Sequence, residues 1–394
     1  MITRVQVKNF RNLADIDVHL GPLTVLVGRN GTGKSTFLDV LRFVRDALRL
    51  GLDTAISQRD GVGAIRRWSP RGRTNDIEVN LELEESDGTA RYSFLIGTGQ
   101  DEKRRVKHEF LEVIYRPLDT LHKEVIGFET RGGKWITPPS DPLISSERSS
   151  IIPIDSDALM LPTLSNLFMG LRPVRTNLTL TNFYSVFPNT LRGLQKQTSE
   201  TPLAEDGLNL ATTLKHIIKQ KTFQSDLVSA LGRVVEGVHD LRVVEAGGYL
   251  VTQLKHYAQD GHNSWFPLAQ ESDGTLRVLG LLAALYQDAP HSLIGIEEPE
   301  LSIHPGALAM LSEVIEEAAT RSQVIITTQS PDLISRFSAD QLRIVERIGT
   351  ETQIGPIDEG QREAINNQLF SAGDLLRIEG LHVSAQEETV TSYA

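Results

Sequence analysis

The chain of 394 residues contains no cysteine. Disulfides, thiolate metal sites and cysteine nucleophiles are thereby excluded, and the composition suits a reducing cytoplasm. No run approaches the ~20 consecutive apolar residues that a membrane helix needs. The opening MITRVQVKNF alternates Ile2, Val5 and Val7 with polar partners and reads as a strand, not a signal peptide. Sustained heptads are missing, which excludes long coiled-coil arms, and there are no internal repeats. A net charge of −11 argues against a surface that coats nucleic acid indiscriminately. Neither a Ser-His-Asp arrangement nor metal-ligand spacing is found, apart from a set suited to Mg²⁺.

What is present is an alternation of strands and helices. ITRVQVKNF and LTVLVG read as strands, and KSTFLDVLRFVRDALRLG as a helix with Phe37, Leu38, Leu41, Val44 and Leu48 on one face. Four alternating segments between residues 76 and 137 follow as a meander. Residues 138–205 are richer in Pro and Ser and read as an insertion with short helices. Two helices follow, the first expected to be capped by Asp206, then two strands. SLIGI, QVIITT and LRIVER near the end read as strands separated by helices. Such alternation predicts an α/β layer.

The segment GRNGTGKST fits G-x-x-x-x-G-K-[ST] and lies between the apolar strand TVLV and a helix, as a phosphate loop requires. Its glycines let backbone N–H groups close round a β-phosphate, Lys34 reaches the β and γ oxygens, and Ser35 offers a hydroxyl to Mg²⁺. Gly28, Asn30, Gly31, Gly33, Lys34, Ser35 and Thr36 are the nucleotide-binding candidates, with Asn30 positioning water or the loop itself. The loop predicts ATP or GTP binding.

In SLIGIEEPELSIHP an apolar strand delivers Glu297 and Glu298 at its C-terminal end. That is where a P-loop protein holds its metal-binding and water-activating acids. Glu297 is assigned to Mg²⁺, directly or through water, and Glu298 to polarising the attacking water. Upstream, ESDGTLRVLGLLAAL is apolar almost all round but opens with Ser272, Asp273 and Gly274. A helix start with free N–H groups suits an anion; it is also what an ordinary Ser N-cap looks like.

A P-loop, a Ser-x-Gly helix start and a strand ending in Glu-Glu, in that order, resemble the ATP-binding-cassette ATPases. With VKNFRNL, EEPELSIHP and TTQSPDLI, the chain is similar to the RecF/SMC-like branch, most of all to stand-alone bacterial ATPases related to the OLD type. The resemblance implies an α/β P-loop NTPase of ABC-ATPase type. Such a fold has a mixed central sheet flanked by helices, an antiparallel β subdomain and a helical insertion. The expected divisions are a first lobe at 1–116, an insertion at 117–205 and a second lobe at 206–394. The resemblance also implies a Mg²⁺-dependent ATPase whose heads pair head-to-tail as a homodimer. Ser272 and Gly274 would then meet the γ-phosphate of ATP held by the other chain. Gln329, where most relatives carry His, is the switch residue; it can donate a hydrogen bond but does not titrate near neutral pH. Asp273, where relatives have Gly, would repel phosphate and must point away. Arg11 matches a family position near the nucleotide, or is a surface arginine.

IRRWSPRGR gathers Arg66, Arg67, Arg71 and Arg73 round Trp68. It is a candidate DNA contact or, equally in keeping with an acidic chain, a solvated loop of intramolecular ion pairs. The family analogy suggests a DNA-associated or phage-defence role with an effector, nuclease or toxin, acting in trans. The rivals are an ATP-gated switch that merely holds such an effector, and a DNA-repair ATPase. An OLD-type nuclease is disfavoured because the roughly 50 residues after LRIVER carry no D-x-D pair for a two-metal site.

Overall fold

The computed structural model describes residues 1–67, 75–85, 87–98, 104–116, 123–140, 152–199, 202–257, 263–287 and 291–384. Every residue of strand β14 (Gln323–Thr328) is buried, as expected of a central strand covered on both faces. Its neighbours build a six-stranded sheet in the order β16-β15-β3-β14-β13-β9, from β3 (Leu23–Val27), β9 (Thr181–Tyr184), β13 (Leu293–Glu297), β15 (Leu342–Ile348) and β16 (Glu351–Gly355). All pairings are parallel except β15 with β16. The central sheet is thus mixed, parallel except at its β16 edge.

Side chains alternate between two cores along these strands, because successive residues of a strand point to opposite faces. Leu26, Leu293 and Ile325 face the helix Lys34–Leu50 and a second sheet. Val25, Val27, Ile294, Ile296, Val324 and Ile326 face the helices Leu210–Lys219, Lys221–Val234, Asp273–Leu285 and Leu308–Ala319. The second sheet is antiparallel with seven strands in the order β2-β1-β4-β5-β6-β7-β8. Its members are β1 (Ile2–Phe10), β2 (Leu13–His19), β4 (Ile77–Glu85), β5 (Gly88–Thr98), β6 (Arg104–Tyr115), β7 (Glu124–Arg131) and β8 (Lys134–Ser140). Phe43 of the long helix wedges between the rings of Phe10 at 5.6 Å and Phe94 at 6.4 Å, fixing helix to sheet. A three-stranded meander, β10 (Val238–Ala246), β11 (Tyr249–Tyr257) and β12 (Asn263–Pro267), leads into the helix Asp273–Leu285.

The described residues between 117 and 205 distribute between layers. β7 and β8 extend the antiparallel sheet, β9 pairs with β13 in the central one, and the short helices Leu161–Leu167, Arg172–Thr179 and Pro188–Arg192 lie alongside. The helix expected to be capped by Asp206 starts later, at Leu210 with Asn209 as N-cap; Asp206 instead accepts from Leu208 N in the turn before it. No helix among the described residues is long and apolar enough to cross a membrane.

A buried carboxylate ties the helix Leu161–Leu167 to the antiparallel sheet. Glu109 on β6 is fully buried and accepts from Met160 N, Leu161 N and the Tyr92 hydroxyl. Burial pushes its pKa up to about 7, against the pull of those three donors. An unfolded chain loses this proton near pH 4.5, so between there and about 7 the native state binds one proton more. Stability should therefore fall as pH rises through that window. Glu109→Gln is expected to flatten this dependence, measured by urea unfolding at pH 5 and 7.5.

Candidate functional site

The phosphate loop leaves β3 at Val27 and enters its helix at Lys34. Gly33 sits at φ 120°, and a Cβ there would lie 2.8 Å from Thr352 side-chain atoms, so the position excludes other residues twice over. Thr352 on β16 donates its hydroxyl to Thr32 O at 2.6 Å and accepts from Asn12 Nδ2 at 2.8 Å. The loop is thus braced by a strand some 320 residues away in sequence. Thr352→Val would leave that carbonyl without its partner, at a cost of roughly 1–3 kcal/mol; thermal unfolding with and without nucleotide reads the loss.

Lys34 is buried, its Nζ donating to Gly28 O at 2.6 Å and Arg29 O at 3.1 Å. Burial lowers its pKa, while Glu298, Glu300 and Glu297 pull it back up. Asn30 and Gly31 are exposed at the loop tip, Ser35 is exposed and Thr36 half-buried. The Ser35 hydroxyl donates to Glu297 Oε2 at 2.7 Å, and Arg42 Nη2 stands 3.6 Å from Glu297 Oε1. A hydroxyl and a carboxylate oxygen meeting at the mouth of a phosphate loop are the hard donors that Mg²⁺ takes, so the residues fit that ion. Among the described residues no group of three or more His, Asp or Glu side chains is arranged to hold a metal by itself.

Adjacent strand residues would point apart, yet Glu298 joins Glu297 in this region because the chain turns there. Glu298 adopts φ 46°, a left-handed conformation unusual for a non-glycine. Its N–H is held by Thr327 O at 2.9 Å, and its Oε2 accepts from Gln329 Nε2 at 3.4 Å. Glu300 lies beneath. It accepts from the Thr328 hydroxyl and Gln329 N, and burial raises its pKa. The Glu-Glu pair and the residue after β14 therefore converge, as the sequence suggested.

Ser272 is exposed and caps the helix Asp273–Leu285, its oxygen accepting from Thr275 N at 3.1 Å and meeting the Thr275 hydroxyl at 2.9 Å. Asp273 is drawn aside by Arg192, at 2.7 Å. Gly274 is needed for packing: a Cβ would lie 2.6 Å from Ser302 O, in the segment after Glu298. Sequence reasoning missed Arg277 on the same helix. Its buried guanidinium donates to Val186 O, Glu297 O and Glu298 O, and burial lowers its pKa. A lone charge in an all-round apolar helix was the available signal, since such a group must find partners inside.

Arg11 turns to Asp39 of the P-loop helix, at 3.0 Å. Of the basic cluster, Arg67 pairs with Glu351 at 2.7 Å, and Arg66 has Nε and Nη2 buried without a hydrogen-bond partner. Trp68, Arg71 and Arg73 lie outside the described residues. A cavity of about 460 Å³ adjoins the loop, walled by residues 28–32 on one side and by Glu346, Arg347 and His382 on the other.

Residues 23–335, from the start of β3 to just past Gln329, match the family described as "AAA domain, putative AbiEii toxin, Type IV TA system". Among characterised proteins the chain is similar to OLD nuclease of Thermus scotoductus, 26% identical over 93% of this chain and 66% of that protein. Endonuclease GajA of Bacillus cereus is 21% identical over 96% of this chain and 65% of that protein. The chain thus spans just under two thirds of the length of each. Among solved structures, a SmcHead bound to the C-winged helix domain of ScpA superposes with a TM-score of 0.51 at 11% identity, covering 91% of this chain and 99% of the other. The Smc head domain of Pyrococcus furiosus gives 0.50 at 10% identity, over 93% and 99%. At such identities the likeness is one of fold.

Proposed function

From the premise that the chain belongs to this AAA-domain family, we propose that it is an OLD-like ATPase of the ABC type, which hydrolyses ATP with Mg²⁺ in a site completed by a second copy. The observation that carries the reading is the meeting of Ser35 and Glu297 at 2.7 Å, with Lys34 behind them and Glu298 beside them. Ser35 and Glu297 would hold the ion, whose charge offsets that of the β- and γ-phosphate oxygens. Lys34 exchanges its loop carbonyls for those oxygens. Glu298 orients the attacking water and accepts its proton, while Gln329 holds the carboxylate in place and donates toward the γ-phosphate.

The remaining ligand comes from the partner. The exposed helix start at Ser272 offers a hydroxyl and unpaired N–H groups to a γ-phosphate across the interface, and Arg192 keeps Asp273 out of the way. ATP then closes two heads, and loss of the γ-phosphate releases them. In the cell such closure would gate a defence or DNA-associated task carried out by an effector, nuclease or toxin, supplied in trans. Glu298→Gln should trap the closed state: light scattering after size exclusion is expected to show a doubled mass with Mg·ATP and not without. A mass indifferent to nucleotide would remove the composite site.

A further inference from the structure

The P-loop helix borders a second cavity on its flank. A cavity of about 740 Å³ opens along residues 39–50 of that helix, and none of residues 28–36 lines it. Its volume lies within the range of small-ligand pockets. Five guanidinium groups border it, those of Arg11, Arg42, Arg45, Arg49 and Arg59, against the carboxylates of Asp39, Asp46 and Glu205. The excess is two positive charges. Positions 39, 42, 46 and 49 recur at three- and four-residue spacing, so one helix face is given over to these groups.

The arginines are not equally occupied. Arg45 is spent on Asp46 and Glu205, and Arg59 on Asp39, Asp46 and Ala55 O. Arg11 gives one nitrogen to Asp39. Arg42 faces three carboxylates by charge alone, Nε at 3.3 Å from Glu205 without hydrogen-bond geometry, Nη2 at 3.6 Å from Glu297 and Nη1 at 4.0 Å from Asp39. Arg49 is exposed and has no carboxylate partner among the described residues. Donors of Arg11, Arg42 and Arg49 are therefore to spare, each guanidinium having five N–H groups in a rigid fork.

Where Arg42 and Arg45 converge, an anion is already present: the Glu205 carboxylate, at 3.3 Å from one and 2.5 Å from the other. Beneath them the ring of Phe183 lies 5.1 Å and 5.6 Å from the two guanidinium carbons and supports their planes. Among the described residues no aromatic ring lines the cavity. The surplus of guanidinium groups suits the lining to an oxyanion.

We propose that this cavity is a phosphate-binding site, held by Glu205 as an internal stand-in, that takes the phosphates of a free oligophosphate or of a nucleic-acid backbone. Glu205 lies shortly before the helix Leu210–Lys219. Arg42 touches both Glu205 and Glu297, so a ligand that draws Arg42 into the cavity alters the counter-charge of the acid beside Ser35. Binding here and nucleotide binding at the P-loop are then coupled in both directions.

The test uses the full chain carrying Lys34→Ala, which weakens the P-loop's own phosphate affinity; it does not depend on whether the protein hydrolyses ATP. Two probes are titrated: inorganic tripolyphosphate by calorimetry, and a 3′-labelled twelve-residue oligothymidylate by anisotropy over a range of salt. Glu205→Gln removes the stand-in and should tighten binding roughly tenfold, whereas Arg49→Ala removes a spare donor and should weaken it roughly tenfold. Opposite shifts are not explained by loss of folding, and Glu205→Gln, nearly identical in shape, decides alone if the arginine variant is unstable. A response of tripolyphosphate only assigns the site to a free phosphate. A response of the oligonucleotide, with a smaller salt slope in Arg49→Ala, assigns it to a backbone. If neither probe shifts more than about twofold in Glu205→Gln, or neither binds, the cluster is only an ion-pair network and the proposal is overturned.

Discussion

Mixing Lys34→Ala protein with Ser272→Arg protein is expected to restore ATP hydrolysis that neither shows alone. A head-to-tail dimer has two sites, each made of one chain's P-loop and the other's helix start. In a mixed dimer both lesions fall in the same site and the other site is intact. Random pairing makes half of the dimers mixed, so the recovered rate should approach roughly a quarter of wild type. A solitary head would show no recovery, because each chain would remain defective in its own site. Ser272 is exposed, so the fold tolerates the larger side chain. Loss of the N-cap costs about 1 kcal/mol, a change that melting curves can follow separately.

Glu298→Gln is expected to lower kcat by roughly 10²–10³-fold while ATP still binds, the size of effect typical for loss of a general base. Lys34→Ala should instead lose binding and turnover together. Glu300→Gln is the control. Burial raises that carboxyl's pKa, and its accepting oxygen toward Thr328 and Gln329 survives in the amide, so turnover should change little. Single-turnover and steady-state assays on the three variants separate these outcomes. Equal losses in Glu298→Gln and Glu300→Gln would withdraw Glu298 from the role of base.

Local features of the site were legible in the sequence because the chemistry is contiguous. Strand, loop and helix from Leu23 to Leu50 state their own register, and Glu297 and Glu298 follow directly on an apolar strand. Asp273 was expected to point away from any phosphate, and the structure pairs it with Arg192 at 2.7 Å, a partner with no motif to announce it. What could not be read depends on distant pairings. Thr352 and Asn12 have no motif, yet they brace Thr32 and crowd Gly33. Gly274 reads as a phosphate-approach glycine, while its nearest neighbour is the Ser302 carbonyl. The part after β15 was searched for nuclease acids but given no elements, although β16 and the helices Glu359–Asn366 and Ala372–Ile378 belong to the fold. The helix expected to be capped by Asp206 starts at Leu210, because the chain first makes a turn in which Asp206 accepts from Leu208 N.

One helix serves two masters. Its outward end presents Ser272, and one turn further in Arg277 grips the backbone carbonyls of Glu297 and Glu298. A push on the exposed end is thus delivered, through a single rigid lever about 7 Å long, to the carboxylates of the same protomer. In a paired assembly each protomer's own carboxylates would thus register whether its helix start has met a neighbour.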